Sequence, residues 1–125
     1  MLLNKNIVLE IIDSNFIDDV INCCSDAVIQ MDEGDLGECF DVDVEFADLD
    51  TVDAMRVEEY EDEEADGVLE IEGTLEMDVF VNGYVYWDGE NIYMGDAELT
   101  LGFSFSFQTD LASGEKYGFE IEWEY

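Results

Sequence analysis

From Leu69 to Val81 every second residue is apolar or glycine: Leu69, Ile71, Gly73, Leu75, Met77, Val79, Val81. The positions between them are Glu70, Glu72, Thr74, Glu76, Asp78 and Phe80. A repeat of two places these sets on opposite sides of an extended strand, one dry and one wet. The same alternation runs through 96–107, where Ala97, Leu99, Leu101, Phe103, Phe105 and Phe107 oppose Asp96, Glu98, Thr100, Ser104 and Ser106. It ends the sequence too, with Tyr117, Phe119, Ile121, Trp123 and Tyr125 alternating with Glu120, Glu122 and Glu124. Residues 39–46 set Phe40, Val42, Val44 and Phe46 against Asp41, Asp43 and Glu45. Such stretches predict an antiparallel sheet with one face on a core and the other in water.

The first third has a different period. Leu3, Ile7 and Ile11, then Ile17, Val20, Ile21, Cys24 and Val28, recur at steps of three and four, which predicts one kinked helix or two short ones. Ser14 stands where an N-cap for the second stretch belongs, and Asp18 and Asp19 follow near the positive end of its dipole. "MDEGDLGE" (31–38), with its two glycines, is expected to end the helical part. Asp88-Gly89 between two strand patterns signals a hairpin, and "ASGEK" (112–116) supplies a second hairpin loop. "EEYEDEEAD" (58–66) has almost nothing to bury and reads as an exposed loop or a frayed helix end.

These elements predict a single α+β domain over 1–125. An N-terminal helical segment packs on a four- to five-stranded antiparallel sheet whose other face is acidic and solvated. Tyr84 and Tyr86 continue the even-numbered set of Glu70 to Asp78. Without a bulge they lie at one end of the acidic surface; a bulge at Gly73 or Gly83 turns them into the core.

Composition changes what the wet face means. The chain has 35 Asp and Glu against three cations (Lys5, Arg56, Lys116), a formal charge of −32 in 125 residues. Solubility needs a net charge of only about 2–8 in a small domain. Like-facing side chains on one strand repeat every ~6.7 Å, where two carboxylates repel by about 0.6 kcal/mol in water and half that at physiological salt. On the order of twenty such neighbours cost several kcal/mol, comparable with a domain's net stability of about 5–15 kcal/mol. A basic partner, metal ions or very high salt would offset that cost. At 48% hydrophobic and 13% aromatic, the chain is too apolar for a disordered acidic tail.

Several classes recede. There is no histidine, which removes Ser-His and Cys-His nucleophiles and the commonest metal ligand. Carboxylate pairs are so abundant that none stands out as a glycosidase or two-metal site. A metal-dependent nuclease would want a lysine beside its acids, and Lys116 follows Glu115 in an expected turn. The reading is therefore a non-enzyme without a cofactor. "DEGDLGE" (32–38) and "DLDTVD" (48–53) carry oxygen ligands but neither has the EF-hand spacing. Cys23, Cys24 and Cys39, odd in number with two adjacent, predict reduced thiols rather than a disulfide framework, with Cys23 or Cys24 in the core. The opening stretch lacks a small-residue cleavage site before Asp13, and no run is long enough to span a membrane. A soluble cytoplasmic protein is expected.

The size, the scarcity of Lys and Arg, and the acidic rows at 41–45, 70–78 and 120–124 resemble one class of proteins. These are the small acidic DNA-mimic inhibitors of phages and mobile elements, of the anti-CRISPR and anti-restriction type. The class has no common fold or motif, so no residue role carries over from it. The resemblance implies a non-catalytic inhibitor that fills the positively charged groove of a basic nucleic-acid-binding protein, a CRISPR effector or restriction nuclease of the bacterial host. It would itself bind neither nucleic acid nor membrane. The surface expected to do this comprises Asp41, Asp43, Glu45, Glu70, Glu72, Glu76, Asp78, Asp96, Glu98, Glu120, Glu122 and Glu124. The alternatives are an immunity protein or antitoxin against a basic nuclease, a calcium-binding domain, or a salt-adapted one.

Overall fold

The computed structural model describes residues 3–40 and 42–124. Asn4 opens helix α1 (Lys5–Asn15), its side chain accepting the Ile7 N–H at 2.9 Å. Helix α2 (Ile17–Gln30) follows after a single break at Phe16. The Phe16 ring accounts for that break. It stacks on Phe119 at 4.6 Å and lies 5.5 Å from Phe107, so the corner drives a large ring into the core. Ser14, expected to cap α2, lies inside α1 instead, and α2 starts without a side-chain cap. Asp18 and Asp19 do occupy the first turn of α2.

Residues 31–38 were expected only to stop a helix, yet they build a third, α3 (Glu33–Gly37). Asp32 and Asp35 form a capping box, the Asp35 N–H donating to Asp32 at 2.8 Å, and Leu36 anchors the turn as a buried residue. Reciprocal capping by two short acids overrides the weak helix propensity of the flanking glycines.

Four strands complete the chain: β1 (Phe46–Ala65), β2 (Val68–Trp87), β3 (Glu90–Asp110) and β4 (Lys116–Glu124). They form one sheet in the order β1-β2-β3-β4, every pair antiparallel. Asp66-Gly67 joins β1 to β2 and Asp88-Gly89 joins β2 to β3. Both residues of each pair have positive φ, between 51° and 81°, the two-residue turn whose twist matches antiparallel strands.

Two expectations need correction. The acidic run 58–65 is neither loop nor helix end; it is the second half of β1, paired with Val68–Gly73 and beyond. It lacks an apolar alternation because this end of an edge strand is wet on both sides, Glu61 to Gly67 all being exposed. Conversely, the described residues of 39–45 do not form a strand although the stretch alternates. Phe40 and Val44 are buried beneath Gly83, Val42 is exposed, and pairing begins only at Phe46.

The core lies between sheet and helices. α1 and α2 rest against β1, and α2 also reaches β4. Beneath them lie Ile71, Leu75, Met77, Val79 and Val81 of β2 and Leu99, Leu101, Phe103, Phe105 and Phe107 of β3, all buried. Those residues are the odd-numbered set of the sequence pattern. Gly73 belongs to it for a different reason: a Cβ there would stand 2.1 Å from the Glu59 carbonyl oxygen and 2.8 Å from Tyr60 Cα. The missing side chain lets β1 bulge across β2 between Val57 and Glu59. Among the described residues no helix is long and apolar enough to cross a membrane.

Candidate partner-binding face

Register decides which carboxylates meet. In β2, Glu70, Glu72, Glu76 and Asp78 share the face away from the helices. Glu70 pairs with Glu63 on β1, Glu72 with Glu61, and Thr74 with Glu59. Across β3, Glu72 faces Ser106, which in turn faces Glu120, while Ser104 faces Glu122 and Gly102 faces Glu124. Asp96 and Glu98 lie further along β3, opposite Asn82 and Phe80. Nine of the expected acids therefore do share one surface.

Two others do not join those rows. Asp43 and Glu45 are exposed in the irregular approach to β1, where the Glu45 N–H donates to the Tyr84 carbonyl at 2.9 Å. Asp41 lies outside the described residues. In compensation the face gains Glu59, Glu61 and Glu63, which were hidden in the run misread as a loop. The signal that would have found them is the Asp66-Gly67 pair, the same dipeptide that marks the second hairpin.

The surface has relief. β1 and β2 carry one acidic ridge, β4 carries another, and β3 between them offers only Gly102, Ser104, Ser106 and Gln108 at the matching levels. One shallow depression is lined by Glu72, Ser104, Ser106, Glu120 and Glu122, and a second by Glu59, Glu61, Glu72, Thr74 and Ser104. With strands about 4.8 Å apart, the β2 and β4 ridges stand roughly 10 Å from each other across a neutral floor.

Among the described residues, one cation reaches this face, and it is fully engaged. Arg56 pairs with Glu76, Asp78 and Glu58, with 2.9 Å to Asp78 and 3.2 Å to Glu58. The Thr100 hydroxyl also donates to Asp78 at 2.8 Å. Hydrogen bonds from Arg56, then from Thr100, hold the Asp78 carboxyl below its usual range. Glu76 and Asp78 thus share one internal cation, which offsets part of their charge. Between the levels of Glu70 and Glu76 the open charge lies in eight acids, Glu59, Glu61, Glu63, Glu70, Glu72, Glu120, Glu122 and Glu124, with Asp96 and Glu98 beyond them. From the level of Glu70 to that of Glu76 is about 20 Å of strand, over which duplex DNA carries roughly twelve charges.

Tyr84 and Tyr86 stay on the acidic side. The irregularity next to Gly83 adds its extra residue on β3, at Met94, so β2 keeps its parity. Tyr84 stacks with Phe46 at 5.4 Å and meets Tyr93 edge-on at 5.9 Å. Desolvation, followed by the charge of Asp48 nearby, raises the Tyr84 phenol above its ordinary value.

All three thiols are pushed up, first of all by burial, and Cys24 to about 11, which keeps it protonated and unreactive. Among the described residues no three His, Cys, Asp or Glu side chains converge as a metal cage. The carboxylates of Asp32 and Asp35 in "DEGDLGE" are turned onto backbone N–H groups. Comparison with protein families, curated proteins and solved structures finds no match to this chain.

Proposed function

We propose that this chain is a non-catalytic DNA mimic that fills the positively charged groove of a nucleic-acid-binding protein, best suited to a host defence nuclease such as a CRISPR effector or restriction enzyme. The observation that carries the reading is the pair of carboxylate ridges flanking a neutral Gly/Ser floor on a rigid sheet. Lysines and arginines that follow phosphates on two strands meet charges of the same sign at a similar density. Long-range attraction between such surfaces accelerates encounter, and the occupied groove no longer admits DNA. The inhibition is competitive, with no bond made or broken.

The like-charge crowding fits the same account. Glu61 and Glu72 are direct cross-strand partners, as are Glu63 and Glu70. Like charges directly opposite destabilise a sheet. Basic side chains seated among them convert that repulsion to attraction. The test is a reversal at one level of the sheet, Glu61→Lys, Glu72→Lys and Glu120→Lys together. The wild-type protein used as bait in a bacterial lysate should retain nucleic-acid-binding proteins that the triple variant, still folded by circular dichroism, does not. Equal retention by both would remove this face from the account.

A further inference from the structure

The β2–β3 hairpin outruns the rest of the sheet. β1 starts opposite Tyr84 and β4 ends opposite Gly102, so 85–94 stands as a two-stranded ribbon with no third strand beside it. From Tyr84 to the turn it projects about 13–17 Å. Its side chains are not those of a solvated turn. Trp87 is 71% exposed, Tyr86 60% and Tyr93 56%, with Ile92 and Met94 also open to solvent. An isolated ribbon is marginal by itself, and a cluster of exposed rings on it marks a contact surface.

Charge selects the occupant. A second copy would bring another −32 to the same place, and an anionic membrane repels the tip in the same way. Asp88 and Glu90 flank Trp87 at the turn, and Asp96 stands at the ribbon's base. Rings beside carboxylates make a setting for a cation, and the planar guanidinium gains most because it stacks on the ring while its N–H groups reach the acids. The chain's own cations do not fill this role: Arg56 is held by its three acids, and Lys116 starts β4 at the far end of the sheet, its ammonium donating to the Gly114 carbonyl.

We infer that the hairpin tip is an arginine-binding clamp, with Tyr86 and Tyr93 on its acidic side and Trp87 on the reverse, that seats guanidinium groups of the same basic partner along both faces of the ribbon. This inference rests on the reading of the acidic face as that partner's seat. Tyr84 links the two surfaces, since it stacks on Phe46 and continues the line of Glu70 to Asp78. The acidic ridges supply attraction that any cationic groove shares, and the tip supplies discrimination between arginine and lysine.

Calorimetric titration of the full chain with an arginine homopeptide and a lysine homopeptide of equal length separates these roles. Tyr86→Ser, Trp87→Ser and Tyr93→Ser together should weaken the arginine peptide about tenfold, the effect of one or two cation–π contacts, and leave the lysine peptide within about twofold. Unchanged binding of both peptides by that variant would overturn the clamp while leaving the acidic face standing. The acidic face itself falls if the Glu61/Glu72/Glu120 reversal binds both peptides as well as a protein with Asp18, Asp19 and Asp26 reversed on α2. If the wild type sediments as a dimer that the tip variant dissolves, the rings serve a second copy and the clamp is wrong.

Discussion

At the scale of single residues, Arg56 and Glu72 mark opposite treatments of the same charge. Arg56 gathers Glu58, Glu76 and Asp78 into a local network, so part of the negative charge is offset where the sheet continues toward the aromatic end. Asp78 is the group whose folded carboxyl is depressed. Its contribution to stability is therefore present above the unfolded value of about 3.9 and lost as pH falls through the lower folded value. Arg56→Ala should lower the melting temperature at neutral pH, and the deficit should shrink below about pH 4 as Asp78 protonates in both proteins. A deficit that stays constant to pH 2 would assign the loss to packing of the Arg56 stem. Glu72 has no such partner and opposes Glu61 directly. Glu72→Lys should stabilise the fold by about 0.2–1 kcal/mol in chemical denaturation while weakening capture of the basic target. A destabilised Glu72→Lys protein would show that the repulsion across this pair is negligible.

At the scale of elements, the sequence was most legible where one face of a strand is buried. The alternation over 69–81, 96–107 and 119–124 lies within three real strands, because the helices cover their odd-numbered positions, whereas an extra residue in β4 sets the exposed Tyr117 opposite Gln108, on the acidic side instead of in the core where the alternation put it. It failed at both ends of β1. Residues 61–65 continue a strand without an apolar code because both faces are wet there, and the stretch 39–45 carries the code although Phe40 and Val44 pack beneath Gly83 and pairing begins only at Phe46. Asp43 and Glu45, expected on the site, went with that second error, and three unexpected acids came with the first. Gly73 shows what no periodicity reveals: the β1 backbone presses on β2 at the level where Glu59 joins the face. Gly73→Ala must move that backbone, and should cost roughly 1–3 kcal/mol of stability in denaturant unfolding, the usual range for overpacking. A loss under half a kcal/mol would mean the crossing is loose.

At the scale of the whole molecule, acids lie on helices, turns and sheet alike, and on the open face of the sheet they are arranged in rows. Two ridges, a neutral floor and the rings of Tyr84, Tyr86 and Tyr93 beyond them lie on one continuous side of the sheet, while the other side is closed by helices. That arrangement was only partly visible beforehand. The rows could be read strand by strand, but that β3 separates β2 from β4, and so opens a trough between the ridges, depends on strand order. Because the same charges repel one another when no partner is bound, added salt should raise the melting temperature of the free protein and weaken its complex, opposite trends from one cause. The measurement that tests mimicry most directly is competition: the complex captured from lysate is titrated with short duplex DNA at fixed moderate salt. The account predicts that DNA displaces the protein completely and raises its apparent Kd in proportion to DNA concentration. A ternary complex, or a Kd indifferent to DNA, would contradict it.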